Sequence, residues 1–155
     1  MTTLNHAATG AVIAICVKSP WLAVPISLVS HYVCDVIPHF GIYEHDHAKR
    51  DANWLFRLIT GLSVAGTIGL FLLIPHHQYP GVSWLTIFVC MLAATLPDVV
   101  WVSLYIREAK SSRSLPLTKF DQLHQDIQWY EKPFGLSLEI AWLGLAGAIL
   151  WFAAL

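Results

Sequence analysis

LITGLSVAGTIGLFLLIPHHQYPGVSWLTIFVCMLAATLP, residues 58–97, contains no Asp, Glu, Lys or Arg. A bilayer core is crossed by about 20 helical residues, so a run of this length suits two spans. The segment Pro75-His76-His77-Gln78-Tyr79-Pro80-Gly81 in its middle is a turn signal. The reading is therefore one helix near 52–74 and a second near 82–107. Working outward, Pro133–Leu155 carries a single charge, Glu139, and reads as a further span. Toward the front, Leu4–Val17 and Trp21–Ile37 are two shorter apolar segments divided at Lys18-Ser19-Pro20. The segment at Leu4–Val17 reads as a retained helix and not a signal peptide, because MTTLNH before it holds no Lys or Arg.

The whole chain agrees with this. Its 155 residues are 56% apolar and 12% charged, where soluble domains carry about 25% charged residues. A net charge of −1 removes the electrostatic case for nucleic-acid binding. The expected fold is all-α: a single integral membrane bundle over residues 1–155, with about five transmembrane helices and one interfacial amphipathic helix. Five spans place Lys49, Arg50, Arg57, Arg107, Lys110, Arg113, Lys119 and Lys132 on one side and Lys18 on the other. The positive-inside bias then puts the N-terminus in the cytoplasm and the C-terminus outside. Small residues recur at helical spacing at Gly61, Ala65 and Gly69, and at Ala141, Gly144 and Ala148, and are expected to pack within the bundle. Cys16, Cys34 and Cys90 lack CxxC spacing and read as free thiols.

Ionisable residues inside spans are costly, and each is a functional candidate. On the five-span topology His6, His31, Asp35, Asp98 and Glu139 all fall toward the cytoplasmic side, with His39 and His124 just outside the spans. His31 and Asp35 are four residues apart and share one helix face. Such a pair either ligates zinc, manganese or iron or ties two helices by a hydrogen bond. Pro38 then ends the helix and His39 follows. Pro97 precedes Asp98, where a disturbed helix can aim a carboxylate. Residues 120–130 are amphipathic, with Leu123, Ile127 and Tyr130 on one side and Asp121, His124 and Gln128 on another. Asn5 reads as a helix cap beside His6. His45, His47, His76 and His77 read as solvated loop residues.

N-H-x-x-x-G at Asn5–Gly10, S-H-x-x-x-D-x-x-P-H at Ser30–His39, L-P-D at Leu96–Asp98 and H-x-x-I-Q at His124–Gln128 resemble the small predicted membrane-bound metal-dependent hydrolases of bacteria. That group is distantly similar to zinc-dependent phospholipase C enzymes. The longer members continue L-P-D with further Asp and His, where this chain has Val99-Val100-Trp101. The resemblance implies metal-ligand roles for His6, His31, Asp35, Asp98 and His124, with His39 as an addition. It places the chain in the bacterial inner membrane. The expected function is metal-dependent hydrolysis of a lipid-like substrate, a phosphoester among the options, at the cytoplasmic interface. Zinc is the first expectation for the metal, with manganese and iron as alternatives. Glu139, Asp126 or a spare ligand carboxylate would serve as base. Two alternatives use the same residues: a metal-dependent isomerase, cyclase or oxidase on an apolar substrate, and a non-catalytic metal-binding or structural membrane protein.

Overall fold

The computed structural model describes residues 1–41, 54–74, 79–111, 118–127 and 131–155, without the side chains of 101–111, 120, 121, 124 and 125. The described residues form helices and no strands. These are α1 (Thr3–Val17), α2 (Pro20–Val36), α3 (Trp54–Leu73), α4 (Trp84–Ser111), α5 (Lys119–Ile127) and α6 (Gly135–Ala153). The segments read from apolar runs and prolines match α1, α2, α3, α4 and α6 closely, and α5 overlaps the amphipathic stretch. Of these helices, α3 and α6 are each long and apolar enough to cross a membrane. The solvated reading of His45, His47, His76 and His77 concerns residues outside those described.

Local chemistry sets the boundaries. Lys18 ends α1 in the left-handed region at φ 62°, with its N–H donating to Ala14 O at 2.9 Å. Pro20 then starts α2 at a position where its missing N–H costs nothing. Gly81, at φ 78°, supplies the left-handed residue of the turn closed by Val82 N–H to Tyr79 O. Ser83 Oγ accepts the Thr86 N–H at 3.1 Å and caps the start of α4. Pro97 lies inside α4, which continues through it.

Helix α1 is the axis of the molecule: α2, α3, α4 and α6 all pack on it. Its inner surface is made of small residues, with Ala7, Ala8, Gly10, Ala11 and Ala14 buried. Close approach is what they permit. A Cβ on Gly10 would lie 2.5 Å from Cys90 O in α4. The apolar core beyond comprises Ile87, Cys90 and Met91 with Ile74, Tyr79 and Leu150 at the end away from the α1 N-terminus.

The first turn of α1 has donors with no partner inside the helix, and other helices supply them. Thr2 N–H reaches Glu139 Oε2 of α6 at 3.1 Å, and Leu4 N–H reaches Ser63 Oγ of α3 at 3.0 Å. Asn5 was expected to cap this helix. The structure starts α1 at Thr3 instead, so Asn5 lies inside it and turns its amide toward Glu139 at 2.9 Å.

The expectation of close packing at the small-residue stripes is overturned. Among the described residues, no atom beyond the local helix backbone lies within 4 Å of where a Cβ on Gly61, Gly69 or Gly144 would stand, and Ala65, Ala141 and Ala148 are exposed. Spacing alone put these residues on one face of each helix, but not on the face that meets α1. Instead α3 turns Ser63 and Thr67 inward and exposes Leu58, Leu62, Ile68 and Leu72.

Candidate metal centre

Four of the residues read from the sequence meet at the end of the bundle where α1 and α6 begin and α2 ends. His6 comes from the first turns of α1, His31 and Asp35 from the last turns of α2, and Asp98 from α4 one residue after Pro97. His6, His31 and Asp35 are buried, while Asp98 retains about a fifth of its side-chain exposure. The two imidazoles stack with centroids 4.0 Å apart and planes 25° from parallel.

Tautomer and orientation follow from one carbonyl. His31 Nδ1–H donates to Ala94 O at 2.8 Å, three residues before Pro97. The proton on Nδ1 leaves Nε2 as a lone pair. That nitrogen faces Asp35 Oδ2 at 3.2 Å and Asp98 Oδ1 at 3.8 Å. His6 Nε2 lies 3.1 Å from Asp35 Oδ1, out of line for a hydrogen bond. The N-terminal ammonium of Met1 also contacts Asp35 Oδ1. Among the described residues, neither ring nitrogen of His6 and not Oδ2 of Asp35 has a hydrogen-bond partner, though all three atoms are buried. Lone pairs of imidazole and carboxylate aimed at one another in a buried place repel unless a cation or proton stands among them.

The ligand atoms of His6, His31 and Asp98 lie within 4.8 Å of one another, so this group can hold a metal ion. Asp35, against both imidazoles, is placed to add a further oxygen. The donor set of two imidazoles and carboxylates suits zinc, manganese or iron. A histidine ligand steadied through its other nitrogen by a backbone carbonyl, as His31 is, matches what metal sites use. Thr3 Oγ1 donates to Asp98 Oδ2 at 3.3 Å and steadies that carboxylate from α1.

The remaining residues read from the sequence lie elsewhere. His39, fully buried after Pro38, donates from Nδ1 to Ile37 O at 2.8 Å, and its Nε2 stands 4.0 Å from Glu131 Oε1. Burial pushes the His39 imidazole below its ordinary pKa. It is not one of the three clustered ligands, but it lines a cavity of about 180 Å³ with Asp98, Glu131, Thr3 and Ser63. The His124 side chain lies outside the described residues, although its helix α5 meets α2. Asp126 is exposed on α5. Glu139 is buried and accepts from Thr2 N–H, Thr2 Oγ1, Asn5 Nδ2 and Phe40 N–H. It thereby ties α6 to the start of α1 and to the segment after α2. That segment is clamped further. Lys132 N–H donates to His39 O at 3.0 Å, and a Cβ on Gly135 would lie 2.1 Å from the His39 carbonyl carbon.

Two contributors escaped sequence reasoning. Ala94 acts through its carbonyl, which no residue type announces. Glu131 sits beside Lys132-Pro133, and its only signal was being a carboxylate at the start of a span. Comparison with family models, with curated proteins and with solved structures finds no match for this chain.

Proposed function

We propose that the chain is an integral membrane, metal-dependent hydrolase acting on a lipid-like substrate. The observation that carries the reading is the group of buried His6 and His31 with half-buried Asp98, with Asp35 against it and with neither ring nitrogen of His6 hydrogen-bonded among the described residues. A bound zinc, or manganese or iron in its place, would lower the pKa of a water to near 7 and polarise the scissile bond. The protein's part is to hold the ligands. Ala94 O fixes the His31 ring, Thr3 holds Asp98, and Glu139 locks the surrounding segments. Glu139 spends its oxygens on four donors and Asp126 is exposed, so the proton acceptor in this proposal is a carboxylate of the cluster, Asp35 or Asp98.

The membrane part of the proposal rests on exposed apolar surface. Helices α3 and α6 bury Ser63, Thr67 and Glu139 and turn Leu62, Ile68, Ile140 and Trp151 outward. That inversion is costly in water and natural in lipid. In the five-span arrangement α1, α2 and α4 also cross, α5 lies at the surface, and the cluster sits at the cytoplasmic face of a bacterial inner membrane. The charge bias and the position of the cluster at the end bearing α5 support this. A lipid-like substrate is supported by an apolar groove of about 450 Å³ between α2 and α6, lined by Val33, Cys34, Ile37, Leu138 and Leu145. It passes Cys34, the neighbour of Asp35, so a chain lying there brings its polar head toward the cluster.

The test is hydrolysis of a radiolabelled bacterial lipid extract by purified protein in detergent. Metal-loaded wild type is expected to release labelled products. Chelated wild type and His31→Ala are expected to release none. No product from a metal-loaded, folded wild type would remove the hydrolase reading. An altered lipid of unchanged mass would favour the isomerase alternative.

A further inference from the structure

We propose that the cavity beside Asp98 receives the primary ammonium of a zwitterionic aminophospholipid head, with Glu131 and His39 as its acceptors. The inference rests on the lipid-hydrolase reading above and names the headgroup that this site would take. The cavity, of about 180 Å³, has Asp98, Glu131, His39, Phe40 and Phe56 among its lining residues. Its described lining holds two carboxylates and no Lys or Arg, and its one fixed cation, the Met1 ammonium, is engaged by Asp35 Oδ1. Such a balance favours a cationic occupant over an anionic one. His39 adds a second acceptor. It is 1% exposed, and its Nδ1–H donates to Ile37 O at 2.8 Å, so Nε2 presents a lone pair. Among the described residues that Nε2 has no hydrogen-bond partner. Burial pushes the imidazole below its ordinary pKa, which keeps the nitrogen an acceptor near neutral pH.

The acceptors select the kind of cation. His39 Nε2 and Glu131 Oε1 are 4.0 Å apart, too far for a hydrogen bond between them. A nitrogen donor stands about 2.9 Å from its acceptor, so one nitrogen can reach both atoms. A primary ammonium brings a positive charge and three N–H donors. A quaternary ammonium brings the charge without the donors, and a glycerol head brings hydroxyls without the charge. Phe40 and Phe56 suit the same choice, because aromatic faces attract cations. The neighbouring features suit the rest of the lipid. Asp98 lines this cavity and also belongs to the metal group, where its Oδ1 faces His31 at 3.8 Å. In a phosphoethanolamine head the ammonium is two carbons from a phosphate ester oxygen, so an ammonium held here keeps its phosphate near Asp98. Met1 lines both this cavity and the apolar groove between α2 and α6. Head and chain of one lipid thus have adjoining places.

Binding of radiolabelled phosphatidylethanolamine to the metal-stripped full chain in detergent micelles tests the assignment without turnover. Wild type is expected to bind it at least tenfold more tightly than phosphatidylglycerol or phosphatidylcholine with the same chains. Glu131→Gln, with helical content checked by circular dichroism, is expected to lose that preference and to bind phosphatidylglycerol as wild type does. Free ethanolamine is expected to displace the lipid only at concentrations at least a hundredfold higher. Equal binding of the three lipids by wild type, or tighter binding of phosphatidylcholine, would overturn the proposal without recourse to any variant. An undiminished preference in folded Glu131→Gln would overturn it too. Displacement by ethanolamine at the lipid's own concentration would make a soluble amine the occupant and overturn the lipid assignment. Each of these results leaves the hydrolase reading standing, since release of products from the lipid extract tests that separately.

Discussion

Helices α1 and α3 are both apolar stretches that lie side by side, and they differ in how much of their surface they bury. Helix α1 buries Ala7, Ala8, Ala11 and Ala14, together with Asn5, His6 and Thr9. Helix α3 buries Ser63 and Thr67 and exposes Leu58, Leu62, Ile68, Leu72 and Leu73. The difference comes from what surrounds each. Protein on all sides of α1 demands small side chains and can satisfy or exploit polar ones. Among the described residues α3 packs chiefly on α1, with Phe71 also against Phe88 of α4, and much of the rest of its circumference is exposed apolar surface. Polar chemistry is therefore concentrated on α1 and on the faces of α2 and α4 that meet it, while α3 and α6 close the remaining sides of α1.

Substitutions that respect or violate this division should separate cleanly. The largest effect is expected for Gly10→Ala, where the added methyl would meet the Cys90 carbonyl and force α1 from α4. A loss of about 3 kcal/mol is expected, measured by thermal or denaturant unfolding in detergent. Gly144→Ala is the control: among the described residues nothing beyond its own helix stands within 4 Å of its Cβ position, and better helix propensity should leave stability unchanged or raised by up to about 1 kcal/mol. Equal losses at both positions would break the distinction between inner and outer helices.

Next comes Glu139→Gln, which replaces a carboxylate holding four donors with an amide that can accept at one atom. Stranded buried donors should cost about 2–3 kcal/mol, read in the same unfolding assay. A smaller change, about 1 kcal/mol, is expected for Trp142→Phe. This removes the Nε1–H donation to Thr9 Oγ1 at 2.8 Å that links α6 to α1. The smallest effect is expected for Leu62→Ala on the outer surface of α3, under about 0.5 kcal/mol in detergent. A loss of several kcal/mol there would mean that α3 packs against protein on that side.

How much of this was legible in the sequence follows the same division. The helices were readable because charge-free runs, Pro20 and the Pro75–Gly81 segment are one-dimensional signals. His31 and Asp35 were readable because four residues make one helical turn. His6 and Asp98 were read as sharing a depth on the expected alternation of spans, and the structure brings both to the same end of the bundle. The facing of Gly61, Gly69 and Gly144 was not legible, since spacing defines a stripe but not its neighbour. The glycines that do meet backbone, Gly10 and Gly135, stand outside the stripes singled out. The work of Glu139 was hidden because two of its donors are backbone N–H groups, and Ala94 was hidden because a carbonyl is common to every residue.

The claim on which the rest depends is that α1, α2 and α4 together hold a transition metal through His6, His31 and Asp98. Elemental analysis of folded, metal-incubated protein, after removal of loosely held ions, tests it most directly. Wild type should retain tightly bound zinc, manganese or iron, and His31→Ala should lose one ion per chain while keeping its helical content. Asp98→Ala should lose at least as much. A folded wild type that retains no transition metal, or a His31→Ala variant with undiminished content, would contradict the account.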